Sequence, residues 1–106
     1  MSRMSELMAK RREARHAQAS ASVAAILHDA GRLGVDITLV GSLAKGDFRV
    51  HSDVDLLVRG AINLKRRLLI ERLVANAMRA SDIPYDLLFE DDLGEDRVWE
   101  LLHDIV

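Results

Sequence analysis

Residues 36–58 read DITLVGSLAKGDFRVHSDVDLLV. The run opens with Asp36-Ile37-Thr38-Leu39-Val40, a β-branched apolar stretch that predicts a buried strand ending at Gly41-Ser42. Leu43 to Ser52 then forms a connection interrupted by Gly46, with a short helical turn at its start. Asp53 to Arg59 predicts a second strand. Side chains alternate along a strand, so Asp53 and Asp55 share one face, with α-carbons about 7 Å apart. Val54, Leu56 and Val58 take the other face, where a core wants them.

Outward from this stretch the pattern turns helical. A helix is predicted from near Ser5 to about Arg32, with Val23, Ile26, Leu27 and Ala30 as its buried stripe and Gly31 and Gly34 as stop signals. Ala9 to His16 is polar on nearly every side. A helix of about 28 residues spans roughly 42 Å, more than a compact chain of this size can cover, so residues 1–16 are expected to protrude as a basic arm. Downstream, Asn63 is placed to cap a helix over Leu64–Ala80 with Leu69, Ile70, Leu73, Val74 and Ala77 inside. Pro84 introduces a third strand, Tyr85–Phe89. Asp92 and Glu95 have capping-box spacing for a last helix whose Val98, Trp99, Leu102 and Ile105 form a core stripe. The order predicts an α/β (α+β) domain over 1–106: a small mixed sheet of about three strands with helices packed on it.

Two carboxylates on one strand face repel unless a cation lies between them. Mg²⁺ suits such a pair because it takes one or two carboxylates plus substrate phosphates rather than an all-protein cage. Asp86, among the apolar residues of the third strand, is the candidate third carboxylate if that strand lies beside the second. Two ions about 3.5–4 Å apart would then clamp an in-line phosphoryl displacement. Gly41 lets the backbone approach a phosphate, and the Ser42 hydroxyl donates to its oxygens. Lys45 and Arg49 in the same connection are candidates to balance triphosphate charge. His51 reads as a loop side chain, and His16, His28 and His103 as structural or solvent-facing. Asp91 and Asp92 read as helix-start residues, and Tyr85 and Trp99 as core or interface anchors.

The segment GSLAKGDFRVHSDVDLLV resembles the signature of the polymerase-beta-like nucleotidyltransferases: Gly-Ser, a spacer of about ten residues, and Asp-x-Asp on a strand. Length and element order resemble its minimal members, the antitoxin-like partners of HEPN-domain proteins. The resemblance implies triphosphate binding by Gly41 and Ser42, metal binding by Asp53 and Asp55, and activation of an acceptor hydroxyl by Asp86. It implies a Mg²⁺-dependent transfer of a nucleoside monophosphate, commonly AMP from ATP, with release of pyrophosphate. The expected partners are a nucleoside triphosphate and a HEPN-type protein, with homo-oligomerisation a further expectation. Two other readings stand beside this one: a non-catalytic neutralising partner, and a small-molecule (antibiotic) nucleotidyltransferase. The sequence departs from the pattern at Leu43, where many minimal members carry a basic residue, and at Val50-His51, where Pro-Asp is usual.

Composition sets outer limits. The chain has 106 residues, no cysteine and a formal net charge of −2, which excludes disulfides and thiolate zinc sites. No signal-peptide pattern or bilayer-length apolar run is present, so a cytoplasmic location without membrane contact is expected. Charge is uneven: residues 1–16 hold five cations against two carboxylates, while residues 82–106 hold nine carboxylates against Arg97. Without an aromatic or groove motif beside it, the basic head reads as a solvated helix face rather than a nucleic-acid site.

Overall fold

The long first helix is anchored at one end only. In a computed structural model describing residues 2–103, helix α1 runs Arg3–Arg32, capped by Ser2, whose hydroxyl accepts from the Ser5 amide. Its buried residues are Ala19, Val23, Ile26 and Ala30, all in the second half. Leu27, expected inside, is 37% exposed. It lies one residue past Ile26, about 100° further round the helix, and Ala19 extends the stripe instead. From Arg3 to Ala14 no residue is buried, so the expected arm is present. It stretches the molecule to 51 Å along its longest axis and its radius of gyration to 15.1 Å, against roughly 13 Å for a compact chain of about 100 residues.

Three strands follow: β1 Ile37–Val40, β2 Val54–Val58 and β3 Tyr85–Phe89. They form one mixed sheet in the order β1-β2-β3, with β1 antiparallel to β2 and β2 parallel to β3. A parallel pair cannot be joined by a tight turn; helix α3, Leu64–Arg79, makes the crossover. Asn63 caps α3 by accepting the Arg66 amide at 2.9 Å. The buried face of α3 is Ile70, Val74 and Met78, with Leu73 and Ala77 packed beside it. Leu69 is 47% exposed, a correction to the expected stripe, and Met78 takes the inward place one turn after Val74.

Alternation along the strands sorts the chemistry. Val54, Leu56 and Val58 are fully buried in one cluster with α1 and α3 side chains, Ile37 and Phe89, with Leu39, Tyr85 and Leu87 packed against it. Each such aliphatic side chain contributes about 1.5–3 kcal/mol by burial. Asp55 and Asp86 are register partners across β2 and β3, and they occupy the alternate positions.

The C-terminal segment departs most from expectation. Asp92 lies in a 3-10 turn, Glu90–Asp92, instead of capping the last helix. Its carboxylate is bound by Arg67 on α3 at 2.6 Å, which outweighs a local cap. Helix α4, Glu95–His103, has no buried residue. Trp99 is 50% exposed and stacks on His103, with ring centroids 4.4 Å apart; Val98 and Leu102 are half-buried, and Ile105 lies outside the described residues. Among the described residues no helix is long and apolar enough to cross a membrane.

Two ion pairs fasten the carboxyl end of the sheet. Glu90 takes Arg59 Nε at 2.8 Å and the Gly60 amide at 3.1 Å. The Arg59 hydrogen bond first, and then the Gly60 amide, hold Glu90 below its ordinary pKa of 4.5. The Arg67 hydrogen bond holds Asp92 below 3.8. For a carboxylate depressed in the folded state, the stabilisation is complete above the ordinary pKa and lost as pH falls through the folded one. The double variant Glu90→Gln/Asp92→Asn is therefore expected to melt below the parent at pH 7. The gap should close as the pH drops below the carboxylate range; a gap that stays constant in acid would contradict this role.

Candidate active site

One row of backbone pairing carries the site across the sheet. Val40, the last residue of β1, is opposite Asp55, and Asp55 is opposite Asp86. Immediately after Val40 the chain turns at Gly41 into helix α2, Gly41–Lys45. The antiparallel pairing thus sets the Gly-Ser turn beside the start of β2, and the parallel pairing sets Asp86 beside it on the other flank. The helix begins at Gly41 itself, two residues before the helical turn expected at Leu43.

Gly41 is required for two separate reasons. Its φ of +78° is a conformation that L side chains rarely adopt. A Cβ at this position would also collide with the Asp55 Oδ2 and stand only 3.1 Å from its Cγ. The backbone turn and the carboxylate are therefore in direct apposition. Gly46 ends α2 with a similar φ of +80° but faces open space.

The electrostatics centre on Asp55. Burial first, then repulsion from Asp86 and from Asp53, raise its pKa above the ordinary 3.8. Asp55 is half-buried, while Asp53 and Asp86 are exposed. A half-buried carboxylate repelled by two neighbouring ones favours a cation beside it. Among the described residues no group of three or more His, Cys, Asp or Glu side chains is placed to hold a metal ion by itself. Carboxylate oxygens of this kind suit a hard divalent ion that takes one or two of them and completes its shell with phosphate and water.

The other expected residues divide. Ser42 is half-buried at the start of α2, its carbonyl accepting the Asp47 amide at 2.9 Å. Lys45 is exposed in the last turn of α2. Arg49 has a side chain 74% exposed that meets Asp47 at 3.4 Å and borders grooves along α1. Its turn is closed locally, the Arg49 amide donating to Ser52 Oγ at 2.9 Å and the Ser52 amide to the Arg49 carbonyl at 3.1 Å.

Sequence reasoning missed two features. Phe48 is buried and meets His16 of α1 edge-on, with centroids 6.4 Å apart. It pins the connection between Gly-Ser and Asp-x-Asp to the long helix; the signal was the lone aromatic of that connection. The second feature is a groove of about 650 Å³ between the arm and residues 49–52, floored by Met4, Met8, Ala9 and Val50. Met4 and Met8, one helical turn apart, were its legible trace.

A family model described as a nucleotidyltransferase domain matches residues 22–105. The chain belongs to that family, as the polymerase-beta-like resemblance implied, and the mixed three-stranded sheet with four helices is consistent with its fold. Residues 1–21, which include the whole arm, lie outside the match. No curated protein matches the sequence.

Two outcomes follow from this geometry. Gly41→Ala is expected to lose at least about 1–3 kcal/mol for the left-handed backbone plus the cost of displacing Asp55. Gly46→Ala, with open space around it, should lose only the first part, and equal losses in denaturant melts would refute the apposition. Asp55→Asn, without metal, should raise the melting temperature at neutral pH. A raised folded pKa means that ionisation opposes folding above that pKa and that the effect vanishes below the ordinary value, so the gain should fade as pH falls toward 3.8.

Proposed function

We propose that this nucleotidyltransferase domain moves a nucleoside monophosphate, AMP from ATP, onto a hydroxyl of a partner protein, and that it serves as the antitoxin-like member of a pair with a HEPN-type protein. The observation that carries the catalytic part is the Asp55 carboxylate, half-buried against Gly41 and flanked by Asp53 and Asp86. Gly41 admits the triphosphate close to the backbone, and the Ser42 hydroxyl donates to its oxygens. Asp53, Asp55 and Asp86 are the residues that would hold two Mg²⁺ ions, which supply neutralisation of the triphosphate and polarisation of the reacting oxygens. Asp86, exposed at the edge of the cluster, orients the acceptor hydroxyl and takes its proton. The acceptor oxygen forms a bond to the α-phosphorus, the bond from that phosphorus to the β-bridging oxygen breaks, and pyrophosphate leaves. Such chemistry asks the protein for positioning and charge compensation.

The acceptor is assigned to another macromolecule because Asp53 and Asp86 are exposed to solvent, where a large acceptor can reach them. The test is incubation with Mg²⁺ and each α-labelled nucleoside triphosphate, with and without the product of the adjoining gene. Label from ATP is expected on that product, and Asp53→Asn or Asp55→Asn should cost at least about a hundredfold in rate with the fold retained. Normal turnover in either variant would eliminate the assignment. Neutralisation of the partner that survives both substitutions would favour docking without chemistry.

A further inference from the structure

We propose that two copies of this protein pair reciprocally, the basic arm of α1 in each receiving the acidic helix α4 of the other. The arm has no counterpart in the family match and little cover of its own: Met4 is 68%, Leu7 46% and Met8 44% exposed. These lie beside Lys10, Arg11 and Arg12, and the groove at their foot is apolar with Arg12 and Arg49 at its edges. An exposed apolar patch rimmed by charge marks an interaction site.

The complementary surface is in the same molecule. Helix α4 buries nothing fully. Trp99 is half in solvent, and Glu95, Asp96 and Glu100 are exposed around it. A Trp flanked by acids matches in charge and character an apolar groove flanked by guanidinium groups, and aromatic anchors carry most of the energy at such contacts. The main packing partners of α1 within its own protomer are α3, α2 and β1. Because each copy carries both surfaces, a twofold arrangement forms both contacts at once and closes on itself. Opposite charges speed and orient the encounter and make it sensitive to salt. The groove also reaches Ser52, next in sequence to Asp53, so α4 of the second copy would wall the cleft beside the carboxylates. The pairing does not depend on the catalytic reading.

Two charge reversals test it. An arm variant carries Lys10→Glu, Arg11→Glu and Arg12→Glu; a helix variant carries Glu95→Lys, Asp96→Lys and Glu100→Lys; circular dichroism checks that each remains folded. The parent should sediment as a dimer with rising concentration, and the emission of Trp99, the single tryptophan, should shift to the blue in step. Each variant by itself confronts like charges at both contacts and should dimerise at least about tenfold more weakly. Mixed together, the two variants meet opposite charges at both contacts, and the dimer and the blue shift should return. A parent that stays monomeric, a dimer indifferent to either reversal, or a mixture that fails to reassociate would overturn the proposal.

Discussion

The structure turns on one carboxylate held where its charge is unwelcome. Asp55 sits on the central strand, half-buried, with Asp86 level with it on one flank and Gly41 pressed against it on the other. The surrounding sheet makes this placement rigid: Val54 and Leu56, on either side of Asp55 in sequence, are fully buried against the long helices. The carboxylate cannot relax by rotating its strand without exposing the core. Burial and repulsion therefore persist in the folded protein. Strand order, the αL turn at Gly41 and the inward valines are all conditions for that arrangement.

Much of this was legible from residues 36–58, because period-two alternation fixes which side chains share a face. Asp53, Asp55 and the core valines followed from it, and the Asn63 cap and the third strand followed from local chemistry. The position of Asp86 beside Asp55 required a parallel pairing that sequence can suggest but periodicity cannot fix. The errors were of two physical kinds. At Leu27 and Leu69 an apolar residue adjoined the true stripe, and only packing decides which of two neighbours turns inward. At Asp92 a long-range partner, Arg67, displaced a local capping pattern. Arg49 was a candidate for phosphate, and its side chain meets Asp47 and borders a groove along the arm. Of the two roles expected for Trp99, core or interface anchor, the core one does not apply, because α4 buries no residue fully.

Small size shapes the rest. A domain of about 100 residues has little chain to spare once its core is built, and the three carboxylates stand on an open surface. The basic arm lies outside the family match, and apolar side chains remain exposed on it, on α3 at Leu64, Leu68 and Leu69, and on the acidic helix at Trp99. The sheet holds the charged row, and the exposed apolar side chains lie on the helices.

The most direct test of the central claim is to titrate the ¹⁵N-labelled protein with Mn²⁺ in the presence of a non-hydrolysable ATP analogue and to follow paramagnetic broadening of the amides. The account predicts selective loss of signal at Gly41, Ser42, Asp53, Asp55 and Asp86, abolished by Asp55→Asn. Broadening centred instead on the acidic stretch from Glu90 to Asp96, or unchanged by that substitution, would contradict it.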